Sequence, residues 1–427
     1  MAKQNGVATE TTNVTKVTRR FTRARFVALL GVLGPGLLAG LSDDDPAGIT
    51  TYSQLGAGFG YQLLWVLTIS TIALILFQQL GARIGVVTGQ GLAGLIRQRY
   101  GARAATLAII ALLGANIGTT MAEFAGIAAG SELFGISRYI SVPLAAIAVS
   151  FLVLRGNFRN VERVLLLLAA VFICYVAAAF FAKPDWGQAF QGSVVPSMPL
   201  TKESMLIATA TLGTTLAPWG LSFIQSYVVD KRLTLKDMPY LRLDVWIGAL
   251  LTGIIGFFVV VTTASTLHVN GVTNITDAAQ AAAALEPMAG EFAKALFATG
   301  LIGAALLAAS ILPLSTAYAV TDLTGQPAAL DDSIKEAPLF YGTFGFVTLL
   351  AMSLVLIPGA PMVPILVLTQ VLNAVLLLPL LGFMYGIARD KKLMGEHIAS
   401  KKMAATYIVA IVLIAACILA LAYFSFS

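Results

Sequence analysis

Two cysteines and two histidines occur in 427 residues, and charged side chains make up only 11% of them. Cys174 and Cys417 lie in apolar runs and His268 and His397 in polar connections, so neither a disulfide framework nor a Cys/His metal cage is available. No nucleophile–base pair or His-rich metal motif is present, which argues against an enzyme. Water-soluble chains carry about 25% charged residues. With 58% apolar residues and a mean hydropathy of +0.86, this chain needs lipid as its solvent. Its apolar stretches are continuous rather than alternating and approach the ~20 residues that cross a bilayer as helix, which selects a helical bundle over a barrel.

Eleven spans are expected, at about 26–57, 60–88, 102–134, 139–154, 161–182, 203–229, 243–267, 289–321, 338–357, 362–388 and 404–425. The Thr-rich basic segment 1–25 reads as a disordered cytoplasmic arm without signal-peptide features, and 26–427 as a single transmembrane domain. The Ala-rich Asp277 to Leu285 is expected to form a short surface helix, and the remaining connections are short. Of the 27 Lys and Arg, 23 fall on one side of this topology, leaving Arg138, Lys183, Lys202 and Lys294 on the other. That asymmetry places the N-terminus in the cytoplasm and the C-terminus outside. It scatters the +6 net charge as anchors, with no patch for nucleic acid, and no obligate protein partner is implied. The short loops suggest a prokaryotic plasma membrane.

Ionisable groups within spans cost a few kcal/mol each, so they mark function. No Lys or Arg lies deep, whereas Asp43, Asp44, Asp45 and Glu123 do, and Asp322 closes span 8. Carboxylates without basic partners need a proton or a bound cation. Asp45-Pro46-Ala47-Gly48 interrupts span 1, since proline removes a donor and disfavours helix at the residue before it. Span 6 carries a second interruption from Thr211 to Gly220, containing Ala217-Pro218-Trp219-Gly220. Broken spans five apart indicate an inverted repeat with a midplane site.

At these residues the chain resembles the Nramp family of divalent-metal transporters. The likeness includes Gly34-Pro35-Gly36, Phe59-Gly60-Tyr61, Leu64-Trp65, the Ala82 to Gly89 string and Ala122-Glu123. Further along it includes Lys183-Pro184-Asp185-Trp186, Leu368-Thr369-Gln370-Val371 and Asp390 to Gly395. The resemblance implies a LeuT-type fold with repeats at about 26–182 and 203–388, an extra helix at 404–425, and both broken helices contacting the ion. It places the metal site at Asp45, Gly48, the Thr214 carbonyl, Ala217 and Gln370. Pathway or outer positions are Asp43, Asp44, Thr120, Glu123, Trp219, Gly220 and Asn373.

The departures are chemically informative. The family's first break usually reads Asp-Pro-Gly-Asn, and here the Asn position is Gly48. The second usually reads Met-Pro-His-Asn; here Met is Ala217, His is Trp219 and Asn is Gly220. A second family His is Ile224, an acid of span 3 is Thr120, and the basic residues of span 9 are missing. Such replacements are similar to those of the Nramp-related magnesium transporters. The oxygen ligands that remain suit Mg2+, Ca2+ and Mn2+, of which Mg2+ and also Mn2+ are the expected transported substrates, with no cofactor implied. Gly48 and Ala217 are expected to vacate volume for a water shell. Asp43 and Asp44 either draw cations to the mouth or occupy a polar helix face. Glu123 serves as a water-mediated cation partner, a thin proton relay or a packing group. A proton-coupled Mn2+/Fe2+ transporter and an amino-acid carrier of the same fold stand as alternatives.

Overall fold

The computed structural model describes residues 34–155, 173–275, 278–284, 290, 293–326, 330, 332–359 and 362–426. The expected arm, the head of span 1, most of span 5 and the side chain of Cys174 lie outside the described residues. The first span is split into α1 (Pro35–Leu41) and α2 (Pro46–Phe59). Then come α3 (Leu64–Thr88), α4 (Leu92–Tyr100), α5 (Ala102–Leu133), α6 (Arg138–Arg155), α7 (Ile173–Phe181) and α8 (Trp186–Val194). The sixth span is split into α9 (Lys202–Thr215) and α10 (Pro218–Asp230). It is followed by α11 (Met238–Thr263), α12 (Ala278–Ala283), α13 (Ala293–Thr324), α14 (Pro338–Val355), α15 (Met362–Ala388), α16 (Lys391–Met394) and α17 (Lys401–Phe426).

Eight spans are long and apolar enough to cross a bilayer by themselves, the split sixth among them. The split first span, α6 and the described end of span 5 bring the described residues to the expected eleven. Two connections are less plain than the sequence suggested. One holds α4, which buries Leu92, Ala93, Leu95 and Ile96 along one face. The other holds α8, begun by Asp185, whose side chain accepts from the Gln188 amide at 3.0 Å.

The split sixth span is wholly buried over its most apolar stretch, whereas that of α17 is almost entirely lipid-exposed. Half-helix α1 lies against α11 so closely that a Cβ on Gly36 would stand 2.6 Å from the Val245 backbone. The same neighbour satisfies both ends of α1. Asp244 accepts from the amides of Gly34, Gly36 and Leu37 at 3.1, 2.6 and 3.2 Å, and Thr252 donates to the Gly40 carbonyl at 2.5 Å. Gly34, which leads into α1, has φ 145, a backbone conformation open to glycine and few others.

Candidate functional site: two interrupted helices around buried carboxylates

The two interruptions obey one rule. Pro46 and Pro218 each occupy the first position of the helix that follows, where a missing N–H costs nothing and the fixed φ already suits the helix. Neither can donate to the carbonyl four residues back, so the carbonyls of Ser42 and Thr214 lose the partners a continuous helix would give them. The expected Thr214 carbonyl therefore has a structural cause, and Ser42 emerges as its counterpart. The sequence signal for Ser42 is its distance of four residues from Pro46.

The break in span 1 lies earlier than the motif suggested. Ala47 and Gly48 are already helical, and the non-helical residues are Ser42, Asp43, Asp44 and Asp45. Asp45 is the N-cap of α2: its Oδ1 accepts from the Gly48 amide at 2.5 Å, a charge-assisted bond at the positive end of the helix. The Glu123 carboxyl, reaching in from α5, lies against that of Asp45. Gly126, one turn further along α5, lets Pro46 seat directly on that helix.

Asp43, Asp44, Asp45, Glu123, Thr214, Trp219, Gln370 and Asn373 are all at most 3% exposed. This corrects both readings of Asp43 and Asp44, which are enclosed in the non-helical link rather than placed at a mouth or on a helix face. Asp43 points its carboxylate toward Gly220 in the first turn of α10, with Oδ1 3.5 Å from where a Cβ there would stand. No side chain caps α10, because its N-cap is Ala217, so the positive end of that helix faces the Asp43 carboxylate.

Gly48 does not vacate volume in this conformation. A Cβ on it would come within 2.6 Å of the Asp43 carbonyl, 3.1 Å of Thr214 Oγ1 and 3.2 Å of Asp45 Oδ1. The missing side chain is what allows the link to fold back onto α2 and brings oxygens of both breaks around one point. Gln370 also differs from its expected role as a ligand. Its Oε1 accepts from Asn373 Nδ2 at 3.0 Å, which leaves its NH2, a donor and no cation ligand, without a partner among the described residues. Asn373 bonds Thr119 Oγ1 as well, at 3.2 Å. Thr120 returns its hydroxyl to the Asn116 carbonyl at 2.7 Å. The Trp219 carbonyl accepts from Ser315 Oγ at 3.0 Å, and its ring heads a buried aromatic series through Phe223 to Tyr227.

Both oxygens of Asp43, Asp44 and Glu123, together with Ser42 Oγ and Thr214 Oγ1, have no hydrogen-bond partner among the described residues. Buried polar atoms in folded proteins are generally paired, so such a group calls for protons, water or a cation. Among the described residues no three His, Cys, Asp or Glu side chains converge as a ready metal cage. The chemistry offered is that of a few carboxylates supplemented by carbonyl and hydroxyl oxygen. Asp244 escaped the sequence reading because span 7 was begun at residue 243, which left it looking like a boundary residue; it is fully buried.

The comparisons agree with this architecture. The model of the Natural resistance-associated macrophage protein-like (Nramp) family matches residues 36–424. Among solved structures, a manganese transporter of Eremococcus coleocola, in complex with an aromatic bis-isothiourea substituted compound, is similar at TM-score 0.76 and 17% identity. That match covers 94% of this chain and 87% of the other. MhsT in complex with L-phenylalanine is similar at TM-score 0.61 and 15% identity, over 94% and 98% of the two chains. The nucleobase-cation-symport-1 family transporter Mhp1 is similar at TM-score 0.56 and 14% identity, over 92% and 93%. With two broken helices five spans apart and this breadth of match, the fold is of LeuT type, and the chain belongs to the Nramp family of divalent-metal transporters.

Proposed function

We propose that the protein carries Mg2+, and also Mn2+, across the membrane by alternating access and without coupling to protons, as a member of the Nramp-related magnesium branch. The observation that carries this reading is the donor set at the two breaks. Residues 42–48 and 214–220 supply carboxylate, carbonyl and hydroxyl oxygen with neither thioether nor imidazole. Soft thioether ligands select softer ions, and their replacement by oxygen leaves a site suited to Mg2+ and Mn2+. Mg2+ sheds water reluctantly and is commonly held through one or two carboxylates, which fits an acidic link without a complete protein cage. Asp45, the carbonyls of Ser42 and Thr214 and the hydroxyl of Thr214 meet the ion. Asp43 and Glu123 act through its water. In the conformation described Gln370 reaches it only after releasing Asn373.

The absence of coupling rests on the same inventory. A proton relay uses chains of Asp, Glu and His. Trp219 and Thr120 stand where such groups would continue the path, and Thr120 is bonded to its own helix. An inside-negative potential supplies roughly 4.6 kcal/mol per 100 mV for a divalent ion, twice the unit-charge value, so accumulation needs no second ion. The N-terminus is assigned to the cytoplasm of a prokaryotic cell by the distribution of basic residues. An amino-acid carrier is disfavoured because three Asp beside the break would repel a substrate carboxylate.

Purified protein in liposomes decides the matter. Mg2+ and Mn2+ are expected to enter and compete with each other, Fe2+ and Cd2+ to compete weakly, and the lumen to hold its pH. Acidification that tracks metal uptake would remove the uncoupled mechanism, and preference for Cd2+ over Mg2+ would remove the hard-ion assignment.

A further inference from the structure

Away from the ion site, one end of the bundle holds charge without a counter-charge. A cavity of about 680 Å3 opens there between α3, α11 and the start of α17, lined by Arg83, Arg242, Trp246, His397, Met403 and Tyr407 among others. Among the described residues no carboxylate lines it. Arg83 donates to the carbonyls of His397 and Ile398, which fixes the guanidinium without neutralising it. Arg242 makes no hydrogen bond or ion pair among the described residues. Trp246, one turn along α11 from Arg242, is 47% exposed. Arg83 lies five residues before the end of α3 and Arg242 four after the start of α11. Both therefore sit about 6 to 8 Å inside their helix ends, near the level where phosphates and interfacial tryptophans meet.

This basic cavity does not stand alone. A second one, of about 430 Å3, lies between α3, α9 and α17, lined by Ile72, Leu212, Leu413 and Ile414 with other apolar side chains. Leu76 lines both cavities. Along α17 the apolar groove runs from Thr406 to Ala420. At 1.5 Å per residue that is about 21 Å, enough for the ~15 Å that an acyl chain needs to reach the bilayer midplane. A small anion would use the arginines and leave the apolar extension unexplained. A neutral lipid would use the groove and leave the arginines unpaired.

We propose that the two cavities together form a site for one anionic glycerophospholipid. Its phosphate sits between Arg83 and Arg242, its glycerol region lies against Trp246 and Tyr407, and one acyl chain follows the groove along α17. Basic pockets between transmembrane helices recognise anionic headgroups in this way, each nearby Arg contributing about five-fold in binding. Met205, Ala208 and Leu212 of the groove belong to α9, so the acyl chain lies against the outer face of the second broken helix.

The test uses the full-length protein in nanodiscs of mixed phosphatidylglycerol and phosphatidylcholine, with retained lipid counted by native mass spectrometry. Wild type is expected to keep one phosphatidylglycerol in preference to phosphatidylcholine. Arg242→Gln should lower that retention about five-fold and Arg242→Lys should restore part of it. Leu413→Trp, which fills the groove and leaves both arginines intact, should lower retention as well, and it decides the question should Arg242→Gln fail to fold. Equal retention of the two lipids, or retention unchanged in these variants, would overturn the proposal. So would displacement of the lipid by inorganic phosphate at equal concentration, which would reduce the site to one for a small anion. Metal uptake by Arg242→Gln should persist, since Arg242 is remote from the two breaks.

Discussion

The two interruptions share a device and differ in what they bring to it. Each begins its second half-helix with proline, but the first is led by an acidic N-cap that bonds its own helix, and the second by Ala217, which caps nothing. The first link is four residues long and carries three carboxylates, whereas the second, Leu216 and Ala217, has no polar side chain. One repeat thus supplies negative charge, and the other supplies a carbonyl, a hydroxyl and the exposed positive end of a helix. Internal repeats need to match only in backbone to build a shared site; their side chains are free to divide the chemistry.

The sharpest way to break that division is to remove the charge proposed to meet the ion. Asp45→Ala is expected to lower Mg2+ and Mn2+ uptake in liposomes by about 100-fold or to background, since it removes both the proposed ligand and the cap of α2. Gly48→Ala tests the close approach of the link. Its Cβ would meet the Asp43 carbonyl at 2.6 Å, so uptake should fall by at least about ten-fold and the unfolding temperature should drop by the equivalent of roughly 1–3 kcal/mol.

Ala217→Met sharpens the comparison from the other side by giving the second break a soft donor. Competition by Cd2+ against Mn2+ uptake should strengthen about ten-fold while Mg2+ uptake declines. Asp43→Asn should weaken apparent Mg2+ affinity by only a few-fold, because Asp43 faces the start of α10 and its proposed action on the ion is through water. The smallest effect on transport is expected from Asp244→Asn. It preserves one acceptor oxygen for three amides and should show mainly in thermal unfolding, by about 1–3 kcal/mol.

What could be read from the chain alone divides along physical lines. Helix positions were legible because apolar runs and their charged ends are local, and spans such as 362–388 and 102–134 match the observed helices to within a residue. The breaks were legible because proline acts on its own neighbours. Their fine placement was not. The motif puts the interruption at Asp45-Pro46-Ala47-Gly48, while an acidic N-cap followed by proline at the first helical position is equally a signal for a helix beginning. Gly48 was read as empty space, since sequence shows the missing side chain but not the Asp43 carbonyl that fills its place. The i, i+3 spacing of Gln370 and Asn373 was visible, but their bond to each other was not. Asp244 serves amides more than two hundred residues away, and no local pattern announces such a contact.

The clamp on α1 has a mechanical consequence. An acceptor at one end and a donor at the other, both from α11, tie a seven-residue half-helix to a long rigid one. Swinging α1 free of α11 would strand a carboxylate and three amides in a medium that cannot solvate them. The cheaper motion carries the two together as a single lever, with the acidic link, the segment proposed to hold the cargo, at the end of its short arm.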